Sequence, residues 1–438
     1  AAQAQGMSDV FMNILTTNGL VGRYVTDWAG PDAVVKNVSI KLGAPNLPGD
    51  TMKMAGSVKS RDEARGEVTV EIAGKNGWGN HVTVKAALAD AGIAPSEVDG
   101  MTTFTMDNND EIEVARAVGV GDLTFFSRTP YGGGAAIGVI QHAVMAIATG
   151  VAECVVVYRA FNERSGRRYS TGVSEALVTA DAIHWSWYMP FGLLTPASWV
   201  AMYTQRYMHE YGCKGTDLAQ IAVSTRKHAV NNPAAFFHGV PLTVEAHQAS
   251  KWIAEPLRLF DCCQESDGGC AQVIVSAKRA REMQAKGAVI RGVAQAAGAD
   301  QENMTSFYRP SISYLPEMDL VAKQAYAMAG LRASDVDAAI LYDAFTPVVM
   351  WQLESWGFCG RGEAKDFVQG GNLEVGGALP CNTHGGQLSE AYIHGMNGVN
   401  EGVRLIRGTS LNQPAKNDHV LVTAGVGVPT SGMILGKL

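Results

Sequence analysis

The chain has 438 residues, 47% of them hydrophobic and 18% charged, the balance of a globular protein with about two to three domains and a large buried core. Its formal net charge of -7 argues against general nucleic-acid or anionic-membrane binding. No apolar run approaches the ~20 residues of a membrane span, and Ala1 to Ser8 lacks the basic-then-apolar order of a signal peptide, so the expected location is the cytoplasm.

Residues 1–82 read as antiparallel strands. Val38, Ile40 and Leu42 alternate, as do Met52, Met54 and Val58, and Val68, Val70 and Ile72. Pro45, Pro48-Gly49 and Gly74 punctuate these runs, and period-2 alternation between such breakers is a strand signal. The stretch Leu42-Gly43-Ala44-Pro45-Asn46-Leu47-Pro48-Gly49-Asp50-Thr51-Met52 resembles the MaoC-like hotdog family of enoyl-CoA hydratases. Only the later part of a hotdog unit is represented. The family's Asp-x-Asn-Pro-x-His pattern is missing, so no catalysis is expected from this segment.

An internal repeat follows. Ala91-Gly92-Ile93-Ala94-Pro95-Ser96-Glu97-Val98-Asp99 recurs as Ala329-Gly330-Leu331-Arg332-Ala333-Ser334-Asp335-Val336-Asp337. Each copy trails a helical stretch and precedes an apolar run, Met101 to Met106 in the first and Ala338 to Tyr342 in the second. Each then reaches a glycine turn that opens a helix: Gly132-Gly133-Gly134, with a helix to Ala148, and Gly385-Gly386, with a helix ending near Arg407. Helix-strand alternation with short glycine turns predicts an α/β layered fold. The second copy has a leading strand, Val289 to Val293. In the first, Asn80-His81-Val82-Thr83-Val84 passes directly into a helix over Lys85 to Ala91, so the first leading strand is missing.

Between the copies, residues of about 162–256 form an insertion rich in aromatics: Trp185, Trp187, Tyr188, Phe191, Trp199, Tyr203 and Tyr207. An aromatic cover suits a large flat apolar substrate, although any one of these rings is as readily core. The acidic run Asp107-Asn108-Asn109-Asp110-Glu111 lacks EF-hand ligand order and reads as a solvated helix cap. The seven cysteines form no Cys-x-x-Cys pair, which fits reduced thiols and no zinc knuckle, and Cys262-Cys263 reads as small buried residues in a tight loop. The glycine turns have neither a following Lys-Ser/Thr nor Rossmann spacing, so no nucleotide site is expected.

Two tyrosines then stand in glycine-rich or apolar words: Leu341-Tyr342-Asp343-Ala344-Phe345 and Cys381-Asn382-Thr383-His384-Gly385-Gly386-Gln387-Leu388-Ser389-Glu390-Ala391-Tyr392-Ile393-His394-Gly395. A phenol of ordinary pKa about 10 is a hydrogen-bond donor and general acid at neutral pH, and becomes a base where neighbours lower that value. Two such groups in one pocket can share a proton transfer with no covalent intermediate.

These words, with Asp261-Cys262-Cys263, Ser266-Asp267-Gly268-Gly269 and Ala229-Val230-Asn231-Asn232-Pro233, resemble the lipid-transfer, sterol-carrier-type branch of the thiolase superfamily. The resemblance covers about residues 84–438. Thiolases carry Asn-Glu-Ala-Phe where Tyr342 stands, Gly-His-Pro where Tyr392 stands, and the nucleophile turn Cys-x-Ser-Gly where this chain has Tyr131-Gly132-Gly133-Gly134. With no thiol at that turn, an acyl-enzyme is not available there.

The resemblance implies a duplicated thiolase fold (layered α/β/α/β/α) with a loop domain, preceded by a partial antiparallel hotdog-like segment. The expected divisions are 1–82, 83–280 with the loop domain at about 162–256, and 281–438. It implies the branch of steroid side-chain-cleaving aldolases. Their reaction is retro-aldol cleavage of a 17-hydroxy steroid C22-oyl-CoA to propionyl-CoA and a 17-ketosteroid. Tyr342 and Tyr392 would be the catalytic acid and base, in an order the sequence leaves open. His384 would polarise the thioester carbonyl or hold a turn, and Tyr131 and Asp343 would support or line the pocket. No cofactor or metal is expected, CoA being part of the substrate. Expected partners are a second copy of the chain and a zinc-ribbon/OB-fold protein or domain of a MaoC-like hydratase. A non-catalytic steroid or acyl-CoA carrier is the alternative, and a decarboxylating condensing enzyme is weak without a nucleophile.

Overall fold

The computed structural model describes residues 53–62, 67–75, 80–104, 110–129, 132–164, 186–299, 301–302, 305–307, 309–427 and 430–438. The readings made for Val38 to Met52, for Asp107 to Asn109, for Tyr131 and for Trp185 fall outside the described residues. The chain divides into two compact units, Ala1–Val82 and Thr83–Leu438.

In the first unit β1 (Lys53–Asp62) pairs antiparallel with β2 (Glu67–Lys75), Val58 opposite Val70. The register shifts between Val58 and Ser60. The alternation over Val68, Val70 and Ile72 is the pleat of β2, as strand geometry requires.

Next in the chain come α1 (Asn80–Ala91), most of which belongs to the second unit, β3 (Gly100–Phe104), α2 (Glu111–Val118), β4 (Phe125–Thr129), α3 (Ala136–Ala148) and β5 (Cys154–Asn162). After α4 (Pro196–Tyr211), α5 (Gly215–Val230), α6 (Val244–Ala249), β6 (Trp252–Ala254) and β7 (Leu257–Arg258) comes β8 (Asp267–Val275). The chain continues through α7 (Ala277–Glu282), β9 (Ala288–Ala296), α8 (Pro316–Ala329), β10 (Ala338–Ile340), α9 (Thr346–Ser355) and α10 (Ala364–Phe367). It ends with α11 (Met396–Arg407), β11 (His419–Ala424) and β12 (Thr430–Lys437).

Two four-stranded sheets carry the duplication. One runs β4-β3-β5-β8 and the other β10-β11-β12-β9. In both, a parallel pair (β3 with β5, β10 with β11) is followed by an antiparallel one (β5 with β8, β11 with β12). In the second sheet β9 then pairs antiparallel with β12. Beside β8, the equivalent position holds no strand among the described residues. The leading strand missing from the sequence is thus also missing from the sheet among the described residues. The helix reaches further back than the sequence suggested: α1 starts at Asn80, more than a turn before Lys85. Its Val84 and Leu88, one helical turn apart, bury against Met101, Val156 and Tyr158.

The helix α3 is apolar on nearly every side, which is the pattern of a helix enclosed all round. It packs on strands of both sheets, as does α11, and these two helices form the middle layer. Glycines let the layers close up: a Cβ on Gly138 would lie 2.6 Å from Gln295 Oε1, and one on Gly402 would lie 2.6 Å from Val422. The aromatic insertion divides in two. Trp199, Tyr203 and Tyr207 of α4 are buried, with Tyr203 and Tyr207 packed edge-on against Trp351, so they belong to the core rather than to a substrate cover. Trp187 and Phe191, by contrast, are exposed. Among the described residues no helix is long and apolar enough to cross a membrane.

Candidate active site

The strand β10 stops two residues before Tyr342 because side chains take over from the ladder. Asn382 Oδ1 accepts from the Leu341 amide at 2.8 Å, and Thr423 Oγ1 accepts from the Tyr342 amide at 3.0 Å. Gln352 of α9 grips the same peptide from both ends. Its Oε1 accepts from the Tyr342 amide at 3.2 Å and its Nε2 donates to the Tyr342 carbonyl at 2.7 Å. Tyr342 is therefore fixed at its backbone and aimed between the layers.

Asp343, the next residue, is buried and anchors the second tyrosine's loop. Its Oδ1 accepts from the Gln387 amide at 2.8 Å and its Oδ2 from the Leu388 amide at 3.4 Å. Those amides belong to a short π-helical turn, Gly386–Glu390. Gly386 has φ +60°, and a Cβ there would collide with Asp343, so both conformation and space demand glycine. Burial pushes the Asp343 carboxyl up to about 7. Tyr392 follows the turn, its amide donating to Ser266 Oγ at 3.0 Å.

The two tyrosines meet. Their hydroxyls are 2.9 Å apart and their rings stand edge to face at 6.4 Å. The third side of the site is the glycine turn ahead of α3. A Cβ on Gly133 would sit 1.8 Å from the Tyr342 hydroxyl, so the phenol occupies room that only glycine leaves. A Cβ on Gly395 would press on the Tyr342 ring at 3.2 Å.

His384 shares a small cavity with Tyr342, Asp343, Gln387 and Thr423. Burial holds its imidazole down to about 4, so the ring is neutral at pH 7. The 3.8 Å separation from Glu390 is accordingly not an ion pair, since burial also pushes the Glu390 carboxyl up. Its carbonyl accepts from Asn232 Nδ2 at 2.8 Å, which ties the turn to the end of α5. The sequence therefore located Tyr342, Tyr392, Asp343 and His384 in one place, while Tyr131 lies outside the described residues. Asp343 is an anchor for the turn beyond being pocket lining.

Sequence reading missed the residues behind the pair. His394 packs its ring on Tyr392 at 4.5 Å, and Arg159 of β5 lies wholly buried behind it, with Nη2 3.4 Å from His394 Nδ1. The available signal was a charged residue within the apolar run Val155-Val156-Val157-Tyr158-Arg159-Ala160-Phe161, where arginine is rarely enclosed without purpose. All seven cysteines are free, and burial pushes the thiols of Cys262, Cys263, Cys270 and Cys381 up, away from nucleophilic thiolates. Among the described residues no group of three or more His, Cys, Asp or Glu is placed to hold a metal.

The family model for a thiolase C-terminal domain-like region matches residues 298–436. The chain is 61% identical over 355 residues to the "Steroid side-chain-cleaving aldolase" of Thermomonospora curvata, covering 81% of this chain and 91% of the relative. It is 59% identical over 352 residues to the "17-hydroxy-3-oxo-4-pregnene-20-carboxyl-CoA lyase" of Mycobacterium tuberculosis, covering 80% of this chain and 91% of that one. It is also 47% identical over 88 residues to the "3-oxo-4,17-pregnadiene-20-carboxyl-CoA hydratase beta subunit" of the same organism, 20% of this chain and 67% of that subunit. Among solved structures, the "Ltp2-ChsH2(DUF35) aldolase" superposes with a TM-score of 0.77 at 61% identity, covering 81% of this chain and 91% of that one.

Proposed function

The chain belongs to the family of thiolase-fold steroid side-chain-cleaving aldolases, and on that premise we propose that Tyr342 and Tyr392 carry out its carbon–carbon cleavage as a proton-transfer pair. The activity is retro-aldol cleavage of a steroid acyl-CoA, a carbon–carbon lyase reaction. The substrate is a 17-hydroxy steroid C22-oyl-CoA, and the products are propionyl-CoA and a 17-ketosteroid.

The observation that carries the mechanism is the direct contact between the two hydroxyls. Tyr342 abuts the turn that opens α3, where the positive end of a helix favours an anion, so its phenolate is the base. It takes the proton of the 17-hydroxyl, the bond between the β- and α-carbons breaks, and the ketone forms. The electron pair passes to the thioester as an enolate. Tyr392 gives its proton to the α-carbon. The proton gained by Tyr342 then crosses the 2.9 Å hydrogen bond to Tyr392, and the pair is restored without net proton exchange. Neutral His384 donates toward the thioester oxygen. The cycle uses no thiol nucleophile and no cofactor besides the CoA of the substrate.

The assembly is proposed on the same footing. A partner protein of the DUF35 kind, with its zinc-ribbon/OB-fold, joins a homodimer of the thiolase-like unit, and the complex works in the cytoplasm beside a hydratase subunit that supplies the β-hydroxyacyl thioester. Mass-spectrometric product analysis on a 17-hydroxy steroid C22-oyl-CoA, with partner protein present, tests the reading. Propionyl-CoA and the 17-ketosteroid are expected from the parent and lost in Tyr342→Phe and Tyr392→Phe. Intact thioester that nevertheless binds would instead indicate a carrier.

A further inference from the structure

Behind the tyrosine pair lies an enclosed cation. The Arg159 guanidinium is covered by the faces of Phe104 at 5.0 Å and Phe161 at 4.7 Å. Such a group is costly to bury, and the aromatic faces offset only part of that cost. Its Nη2 donates to His394 Nδ1 at 3.4 Å. A guanidinium can only donate, so Nδ1 is the bare ring nitrogen and the imidazole proton sits on Nε2. Burial and the adjoining positive charge hold this imidazole well below its ordinary range, so it stays neutral and does not itself titrate near pH 7. His394 adopts φ +51°, a left-handed backbone that a non-glycine residue enters at a cost, and such strain gathers at functional sites. Its ring rests between the guanidinium and the Tyr392 ring, 4.5 Å from the latter.

We propose that Arg159 is a positioning residue for the tyrosine pair, fixing Tyr392 through His394 and lending the positive charge that stabilises the pair's phenolate. This rests on the reading of Tyr342 and Tyr392 as proton-transfer groups. The other titratable groups packed around them come from four elements. Glu163 at the end of β5, Asp343 after β10 and Glu390 on the π-turn are all pushed up by burial, toward the neutral form that would not cancel the cation. His384 on the same turn is neutral, and the Cys263 thiol ahead of β8 is pushed up. Glu265 and Asp267, at the entry to β8, are less enclosed, where water screens them.

Ultraviolet titration of tyrosinate in substrate-free protein tests this. The parent is expected to show a tyrosine ionising below the ordinary range that disappears in Tyr342→Phe or Tyr392→Phe. In Arg159→Met and in His394→Asn it should move up by about one pH unit, a tenfold smaller phenolate fraction, while Arg159→Lys should retain most of it. Asparagine is chosen because it tolerates the left-handed backbone, which keeps the test open if Arg159→Met fails to fold. The rising limb of kcat/KM against pH should shift equally. A titration unmoved in folded His394→Asn overturns the proposal, as does a parent with no such tyrosine. Failure of the aldolase reading would show in the product analysis and leave this titration readable.

Discussion

At Gly133 a single hydrogen atom decides whether the site exists, because a methyl there would occupy the position of the Tyr342 hydroxyl. Gly133→Ala is therefore expected to abolish turnover and lower the melting temperature. Adding Tyr342→Phe should recover only part of the stability and none of the activity, since the colliding oxygen is gone but the ring carbons Cζ and Cε2 would still lie 2.5 and 2.8 Å from the new methyl. Melting curves and turnover on the four members of this cycle check the coupling. The single changes Tyr342→Phe and Tyr392→Phe should cut kcat by roughly 10²–10⁴-fold, the usual worth of a positioned acid or base, with folding unchanged by circular dichroism. Glu163 offers a pH test. Burial pushes its carboxyl up to about 9 from an ordinary 4.5. Because the folded value is the higher one, the stability it contributes is complete below about pH 4.5 and is lost as pH rises through about 9. Glu163→Gln should flatten the fall in melting temperature over that window. A fall of unchanged steepness would sink this account.

Among the elements, those legible in the sequence were the ones whose pattern is local. The repeated Ala-Gly-x-x-x-Ser-x-Val-Asp word lands both times on the turn between a helix and a buried strand, at β3 and at β10. The apolar run over Ala136 to Ala148 becomes a helix buried through its first turns, with Met145 exposed near its end. What stayed hidden depends on contacts far along the chain. The π-turn at Gly386–Glu390 is held by Asp343, more than forty residues earlier, and nothing around Gly386 announces it. The tyrosines were found, but Arg159 and His394 lie 235 positions apart, and only the fold brings them together. The close approach of β9 to α8 is of the same kind. A Cβ on Gly292 would lie 2.3 Å from the Ala325 carbonyl oxygen, and backbone cannot swing aside as a side chain can. Gly292→Ala should cost roughly 1–3 kcal/mol or more in urea unfolding, with the slope of the transition kept.

For the molecule as a whole, duplication is the organising fact, and its imperfection is as informative as its regularity. Three strands of each sheet share an order and directions, β3-β5-β8 and β10-β11-β12, yet the second has β9 against β12 where the first leaves the outer side of β8 without a strand among the described residues, and the first adds β4 beside β3. The buried character follows: β12 is enclosed along nearly its full length, whereas β8 is mostly half-exposed. Exposed backbone donors and acceptors along such a margin are a template for another chain's backbone. An edge paired with the same edge of a second copy closes on itself, so the purified protein is expected to associate through the margin of β8 as its concentration rises and to add an intermolecular β band to its infrared spectrum. Sedimentation velocity across a dilution series would reveal it, and one unchanging species throughout would rule it out. Shelf life in concentrated solution would then be governed by the margin of β8 rather than by the repulsion of a net charge of -7.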